Sequence, residues 1–366
     1  MKFLDDYIQT KKFDDADFGI DDLKFLEYSG RQSFYSQGYY GQGTICAVID
    51  TGVSQHEEFE DRLLDGRNLN KSYNNTSKWQ DDRGHGTHVA SSIAGKNVGI
   101  APQANILPVK VLDATGGTNR ILDIIDGVKW AREWRSAKGE KVDVISMSLS
   151  GNKSIFGNYL DRFESEINKC VEEGILVVCS MGNTGAEEKR YPAYFDEVVA
   201  VGAVDVNKKQ AKFTTTGNYV DVCQIGVDVI GANYSGGYIS LSGTSMATPL
   251  TSGIACLIAC RHKIKFGERI SEQKLYEQIK MNTKDLGIEG ADKIYGVGFA
   301  SVQPLSMDIE LTIGSDKMTV NENEITLDSP PILYNNRFYV PLRWLITFLG
   351  GYIKFDNNTS KAVFRM

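Results

Sequence analysis

The sequence predicts an α/β fold, a mostly parallel sheet with helices on both faces, followed by a small C-terminal α+β module. Three observations predict it. From about residue 43, short apolar runs alternate with longer helical patterns, the signature of βαβ units and a parallel sheet. The run VDVISMSL is almost continuously apolar, as a strand buried on both faces must be. After YGVGFASVQP (295–304) the pattern changes abruptly to short alternating strands.

In chain order, TICAVID reads as a strand, THVASSIAG as a short helix and ILPVKVL as a second strand. ILDIIDGVKWAREW places Ile121, Ile124, Ile125 and Val128 at the period of an amphipathic helix. VDVISMSL follows as a strand, then the helix NYLDRFESEINKCVEEG and the strands ILVVCSM and EVVAVGAV. Crossovers between parallel strands are right-handed, which limits the topologies available. LSGTSMATPLTSG opens a buried helix, with Pro249 expected in its first turn, where a missing N–H is not needed. From Met307 come DIELTI, KMTV and EITL, then an asparagine turn, a strand and a short helix in NNRFYVPLRWLITFLGG. YIKFD, the turn NNTS and AVFRM close the chain. The division expected is an extension over residues 1–15, a large domain over 16–304 and a module over 307–366.

Composition narrows the function. The 366 residues are 42 % hydrophobic and 24 % charged, enough apolar material for a core. A net charge of −7 gives no basic footprint, so nucleic acid is not an expected partner. No run reaches the ~18 apolar residues of a membrane span, and no signal peptide is visible. The six cysteines sit mostly in apolar runs and form no C-x-x-C pair. Cys256 and Cys260 share a helix face, yet two ligands on one turn do not make a metal site, so the thiols read as buried and reduced. A reducing, cytoplasmic location follows, with release by lysis or non-classical export to the surface as the alternative.

Three motifs sit at element ends. AVIDTG puts Asp50 at the carboxyl end of a strand, GHGTHVA puts His85 at a helix start, and GTSMATP puts Ser245 at another. Those positions line the ligand crevice of an open α/β sheet, so residues far apart in sequence can meet. A serine hydroxyl needs a base, histidine supplies one near neutrality, and a carboxylate fixes the imidazole tautomer. The N–H groups of a helix start favour negative charge on an attacked carbonyl oxygen. Asn183, in SMGNTG after another strand, offers a second donor to that oxygen.

AVIDTG, GHGTHVA, SMSLSG, SMGNTG, YPAYFDEVVAVGAV and LSGTSMATP together resemble the subtilisin-like serine proteases, in that family's order of Asp, His, Ser. The resemblance covers roughly residues 16–304 and is strongest to the intracellular branch, which also lacks a signal peptide and is acidic. It implies a serine endopeptidase acting on proteins or peptides, with Asp50 as orienter, His85 as general base and acid, Ser245 as nucleophile and Asn183 as oxyanion donor. It also implies that Gly116, Gly117 and Thr118 flank bound peptide on one side, and Ser148, Leu149 and Ser150 on the other. No cofactor is required for this chemistry. Secreted relatives carry a calcium-binding loop between the segments matching SSIAGK and VGIAP. Here that loop is shortened, so structural calcium is possible but doubtful. Other departures are GTSMATPLT where the family usually has GTSMAAPHV, CQIG at 223–226 in place of a Pro-Gly pair, and Ser150 in place of a common glycine. No chaperone-like propeptide precedes Asp50, only about 15 extra residues.

Arg190 precedes Tyr191–Pro192, a place that the resemblance puts near the base of the primary specificity pocket. There it either favours an acidic substrate side chain or turns to solvent within the charged run EEKR. His88, one turn from His85, is read as a packed structural histidine rather than half of a metal pair, and His56 and His262 as surface residues. The C-terminal module resembles the small stalk-type domain named after the N-terminal domain of copper amine oxidases. No His or Cys follows His262, so copper's preferred ligands are absent from it. It is expected to serve self-association or binding to another protein or surface, or else to act as a stabilising cap. Two rivals to a true protease remain: a peptide-binding pseudoprotease, and an assembly protein whose proteolysis is limited to trimming its own residues 1–15.

Overall fold

The computed structural model describes residues 1–4, 8–13, 18, 20–73, 75, 77–302, 309–320, 323–327, 329–335, 337–340, 352–356 and 361–365. The chain divides into two compact units, Met1–Pro304 and Leu305–Met366. The first runs β1 (Ile8–Phe13), α1 (Lys24–Tyr28), α2 (Arg31–Tyr35), β2 (Ile45–Asp50), β3 (Arg67–Asn68), α3 (His85–Ala94), β4 (Asn105–Lys110), α4 (Ile121–Glu133) and β5 (Val144–Met147). It continues with α5 (Lys153–Phe156), α6 (Leu160–Glu172), β6 (Leu176–Ser180), β7 (Val199–Val204), β8 (Val222–Ile225), β9 (Val229–Ala232) and β10 (Tyr238–Ser242). The helices α7 (Thr244–Phe266) and α8 (Glu272–Met281) and the short strands β11 (Thr283–Lys284) and β12 (Phe299–Ala300) complete it.

Nine strands form the main sheet in the order β11-β12-β8-β7-β6-β5-β2-β4-β3. Every pairing in it is parallel except β11 with β12. The chain leaves β2 toward β4 on one side and returns to β5 on the other. That reversal creates the crevice at the carboxyl ends where open sheets bind ligands. Period-two alternation explains how both faces are filled. Along β2, Cys46 and Val48 join the core beneath α3 and α7, while Ile45, Ala47 and Ile49 join the core beneath α4 and α6. Each valine or isoleucine among them contributes about 1.5–3 kcal/mol on full burial. A second sheet, β1-β10-β9, is antiparallel.

All six cysteines are free and buried. Burial pushes the Cys170 thiol up to about 12 and raises Cys179 and Cys223 as well. They pack as small apolar groups, as the sequence suggested.

Helix α7 corrects one expectation. It begins at Thr244, so Pro249 is its sixth residue and not part of the first turn. A residue at 249 would donate its N–H to the carbonyl of Ser245, and proline cannot. The carbonyl is taken by Ser148 Oγ instead, at 2.9 Å. The proline thus releases a backbone acceptor beside Ser245, and a hydroxyl from the segment after β5 claims it.

In the second unit, Ile309–Leu311, Lys317–Val320 and Asn323–Thr326 form a three-stranded antiparallel sheet. Ile332–Tyr334 pairs with Arg337–Tyr339, and Tyr352–Asp356 with Lys361–Arg365. The short helix expected in NNRFYVPLRWLITFLGG and the NNTS turn lie outside the described residues.

Candidate active site

Asp50 ends β2 and His85 begins α3, both essentially without exposure. His85 Nδ1 lies 2.8 and 2.9 Å from the two oxygens of Asp50. Oδ1 of Asp50 also accepts the Thr51 N–H at 2.7 Å. A carboxylate on Nδ1 fixes the tautomer that leaves Nε2 as the basic nitrogen.

What holds His85 there is a residue that sequence reasoning missed. Asp81, buried in DDRGHGT, accepts from Thr51 Oγ1 at 2.8 Å, Arg83 N at 3.0 Å and Gly84 N at 2.9 Å through Oδ1. Through Oδ2 it accepts from Thr87 N at 2.8 Å and Thr87 Oγ1 at 2.7 Å. Asp81 thus takes the Thr87 N–H of the first turn of α3 and the Gly84 N–H just before it. Thr51 Oγ1, itself held by Asp81, takes the Gly86 N–H at 3.0 Å, where the residue before the helix is glycine and brings no cap of its own. The signal was an Asp four residues before His85, in a place where helix starts want an acceptor.

Ser245 is the second residue of α7 and 8 % exposed. Its Oγ donates to Ser148 O at 3.2 Å, so the nucleophile segment and the Ser148 segment clasp each other through two hydrogen bonds. Asn183 follows β6. Its Oδ1 accepts from Thr244 N and Thr244 Oγ1, both at 2.9 Å. With the oxygen so engaged, the network assigns the amide nitrogen to the other side, where a Cβ added at Gly243 would lie 3.3 Å from Nδ2. Thr244 thereby orients the amide and also receives the Gly182 N–H at 3.1 Å. It too went unnoticed in the sequence, hidden in GTS.

The two expected peptide-flanking segments do have a strand between them, and it is the chain's own N-terminus. The Met1 ammonium donates to Thr118 O at 2.8 Å, and Thr118 N donates to Met1 O at 2.9 Å. Phe3 N and Leu4 N donate to Gly116 O at 3.1 and 3.2 Å, while Ser150 N donates to Phe3 O at 3.1 Å. Lys2 pairs with Gly117 as an antiparallel bridge. A Cβ at Gly117 would come within 2.2 Å of Met1 O, so only glycine permits this approach. Phe3 and Leu4 are 2 % exposed, Phe3 stacking on Phe156 at 5.6 Å. Leu149 is buried in the same core.

Arg190 does not turn to solvent. It is 8 % exposed, with Nη2 3.2 Å from Ser150 Oγ and 3.4 Å from Ser150 O. The strand pairing of Gly151 with Tyr191 draws its backbone inward, which rules out the solvent alternative.

The histidines outside the triad divide. His88 is fully buried, its Nε2 3.0 Å from Val229 O, and burial pushes its pKa down to about 3. It stays neutral across the working range and packs beneath β9. His56 and His262 are half-buried rather than surface residues. His56 Nε2 meets Gly237 O at 2.9 Å, and His262 packs on Phe266 at 4.6 Å.

Calcium is the metal that the resemblance raises, at the loop after α3. There the buried Glu58 carboxylate accepts from Asn97 N at 2.8 Å, Asn97 Nδ2 at 2.8 Å, Val98 N at 3.3 Å and Tyr238 OH at 2.6 Å. Calcium requires six to eight oxygen ligands. Here the carboxylate is filled by N–H and O–H donors, so the loop does not fit the ion. Among the described residues no group of three or more His, Cys, Asp or Glu is placed to hold a metal. Nor is any described helix long and apolar enough to cross a membrane.

Comparison with known proteins gives the family. Residues 41–298 match the model of the subtilase family, and residues 302–364 that of the copper amine oxidase N-terminal domain. The chain is similar to a major intracellular serine protease of Bacillus subtilis (strain 168), 33 % identical over 277 residues, 72 % of this chain and 83 % of that protein. An intracellular serine protease of Paenibacillus polymyxa is 34 % identical over 271 residues, 70 % of this chain and 79 % of that protein. Subtilisin E of Bacillus subtilis is 34 % identical over 268 residues, 70 % of this chain and 65 % of that protein.

Proposed function

The chain belongs to the subtilase family and is a subtilisin-like serine endopeptidase, and from that premise we propose the roles of its residues. Ser245 Oγ attacks the peptide carbonyl carbon while its proton passes to His85 Nε2. The negative oxygen accepts hydrogen bonds from Asn183 Nδ2 and the Ser245 N–H. Collapse breaks the C–N bond, and the proton on His85 goes to the departing amine. A water, deprotonated by His85, then attacks the acyl carbon, breaks its bond to Oγ and restores the serine. Asp50 holds Nδ1–H and stabilises the imidazolium throughout. The observation that carries this reading is the Asp50–His85 pair, 2.8 Å apart and sealed from water at the carboxyl edge of the sheet.

Residues 1–4 act in this reading as a tethered plug, since substrate would need the same edges at Gly116–Thr118 and Ser150. Thr118, Gly117 and Gly116 bind peptide on one side and Ser148–Ser150 on the other, once the plug leaves. No cofactor enters the chemistry, and Glu58 replaces calcium in folding the loop after α3. Chelation should therefore leave the melting temperature unchanged, which calorimetry with and without a calcium chelator checks. The two intracellular relatives favour a cytoplasmic setting, and the C-terminal module is read as a binding or self-association domain.

The deciding experiment is labelling by a fluorophosphonate, followed by intact mass. A single adduct on Ser245, absent from Ser245→Ala and formed faster in Phe3→Asp, is the expected result. A folded protein that takes no adduct, with or without the tail substitution, would make the chain a peptide-binding pseudoprotease.

A further inference from the structure

We propose that this protease selects substrates with glutamate or aspartate immediately before the scissile bond, and that Arg190 and Ser150 are the residues that read the carboxylate. The proposal rests on the assignment of Ser245 as nucleophile. An attacked carbonyl must lie against Ser245 Oγ with its oxygen toward Asn183. The residue that supplies it then sits over Gly182 and Asn183 on one side and Ser148–Ser150 on the other.

The surface beneath that position is unusually polar. Gly182, at φ +96°, has no side chain, and a Cβ placed there would meet Ser150 Oγ at 2.9 Å, Arg190 Nε at 3.2 Å and Thr215 Oγ1 at 3.2 Å. Two hydroxyls and a guanidinium, from three separate segments, converge on one glycine. All three residues are nearly sealed from solvent, at 3 %, 8 % and 1 % exposure for Ser150, Arg190 and Thr215.

The guanidinium is held in place. Arg190 N donates to Tyr219 OH at 3.1 Å, and the neighbouring residue pairs with Gly151 through Gly151 N to Tyr191 O at 2.9 Å and Tyr191 N to Gly151 O at 2.8 Å. Its Nη2 donates to Ser150 Oγ at 3.2 Å, so the cation and the hydroxyl form a two-point donor set for one carboxylate. Thr215 is committed elsewhere, with its Oγ1 2.9 Å from Thr184 Oγ1. Glu188 is the counter-charge to be displaced. Its Oε1 lies 3.8 Å from Arg190 Nη1, beyond hydrogen-bond range, and its side chain is 38 % exposed. A substrate carboxylate reaching the buried side of the fork meets a less screened cation than Glu188 does from the rim. Lysine or arginine in the same place would face that cation directly, and a large apolar side chain would further desolvate the guanidinium without supplying an acceptor.

The test uses the full chain and peptidyl phosphonates of one sequence that differ only in the reacting residue, Glu, Asp, Leu, Phe or Lys, with labelling followed by intact mass. A small fluorophosphonate without a peptide runs alongside. The expected result is labelling by the Glu or Asp probe about 10- to 100-fold faster than by the Leu or Phe probe. That preference should vanish in Arg190→Ser and turn toward Lys in Arg190→Glu, while Glu188→Gln should strengthen it. Equal rates across the panel, or a Glu preference unchanged in both Arg190 variants, would overturn the proposal. If the small fluorophosphonate itself fails to label, it is the nucleophile assignment that falls. If Arg190→Ser does not fold, the wild-type panel and Glu188→Gln still decide the matter.

Discussion

Two buried aspartates stand at opposite ends of adjacent parallel strands, and they have opposite surroundings. Asp50 closes the carboxyl end of β2 and faces the His85 imidazole, a side chain whose second ring nitrogen can take up and return a proton. Asp143 opens the amino end of β5 and faces two permanent cations, Lys263 Nζ at 2.7 Å and Arg269 Nε at 3.4 Å, while its Oδ2 also accepts the Ile45 N–H at 2.9 Å. Both are nearly sealed from solvent, at 0 % and 4 % exposure. Burial alone therefore does not mark a catalytic carboxylate. The partner does: an imidazole oriented by its carboxylate can act as a base, and a pair of fixed cations makes a clamp between β2, β5 and the end of α7.

The comparison can be broken from either side. Asp50→Asn should lower kcat about 10⁴-fold with the melting transition nearly unmoved, because the amide mis-sets the imidazole tautomer. Asn183→Ala should lower kcat about 10²- to 10³-fold, a magnitude that belongs to the matching donor in subtilisin itself. Turnover assays on folded protein measure both, and full activity in either variant would remove that residue from the mechanism.

Asp143→Asn should do the reverse. Losing a buried partner costs about 3–5 kcal/mol, and because Lys263 and Arg269 are 23 % and 30 % exposed the expected loss is roughly 1–3 kcal/mol. Denaturant midpoints report it, and kcat/KM per folded molecule should not change. A hundredfold drop in turnover would mean that the two ends of the sheet are not separable.

The smallest effect concerns Glu272 at the start of α8. Burial, with Glu197 and Glu277 nearby, pushes its pKa up to about 7. A carboxyl raised in the folded state holds its proton more tightly there than when unfolded. Stability is therefore full below the unfolded value of about 4.3 and declines as pH climbs toward 7. Glu272→Gln should melt higher than wild type at pH 8 and the same at pH 4, with catalysis unaffected.

Much of this was legible in the residues. Asp50, His85 and Ser245 announce themselves because strand ends and helix starts have recognisable local chemistry, and the parallel order of the strands brings such ends together. Asp81 and Thr244 were harder. Each works by satisfying backbone groups of a neighbour, and a sequence shows an acceptor without showing what it accepts from. The two readings of Arg190, pocket or solvent, could not be separated from the sequence, because the pairing that pulls it inward, Gly151 with Tyr191, joins residues 40 positions apart. Pro249 was placed one turn too early, which concealed why Ser148 carries a hydroxyl. The tail in the cleft was harder to see, since its backbone hydrogen bonds to Gly116 and Thr118 carry no motif, and its demands, glycine at 117 and apolar residues at 3 and 4, are met by common residues.

The buried cysteines have a practical corollary. With all six thiols enclosed, and burial raising the pKa of Cys170, Cys179 and Cys223, the native protein presents little thiolate to any electrophile. A cysteine installed at position 245 would then be the sole reactive sulfur on a silent background. Alkylation of that one atom would count active centres by mass, and a thioester formed there would open the cleft to acyl transfer onto added amines, turning a hydrolase scaffold toward ligation.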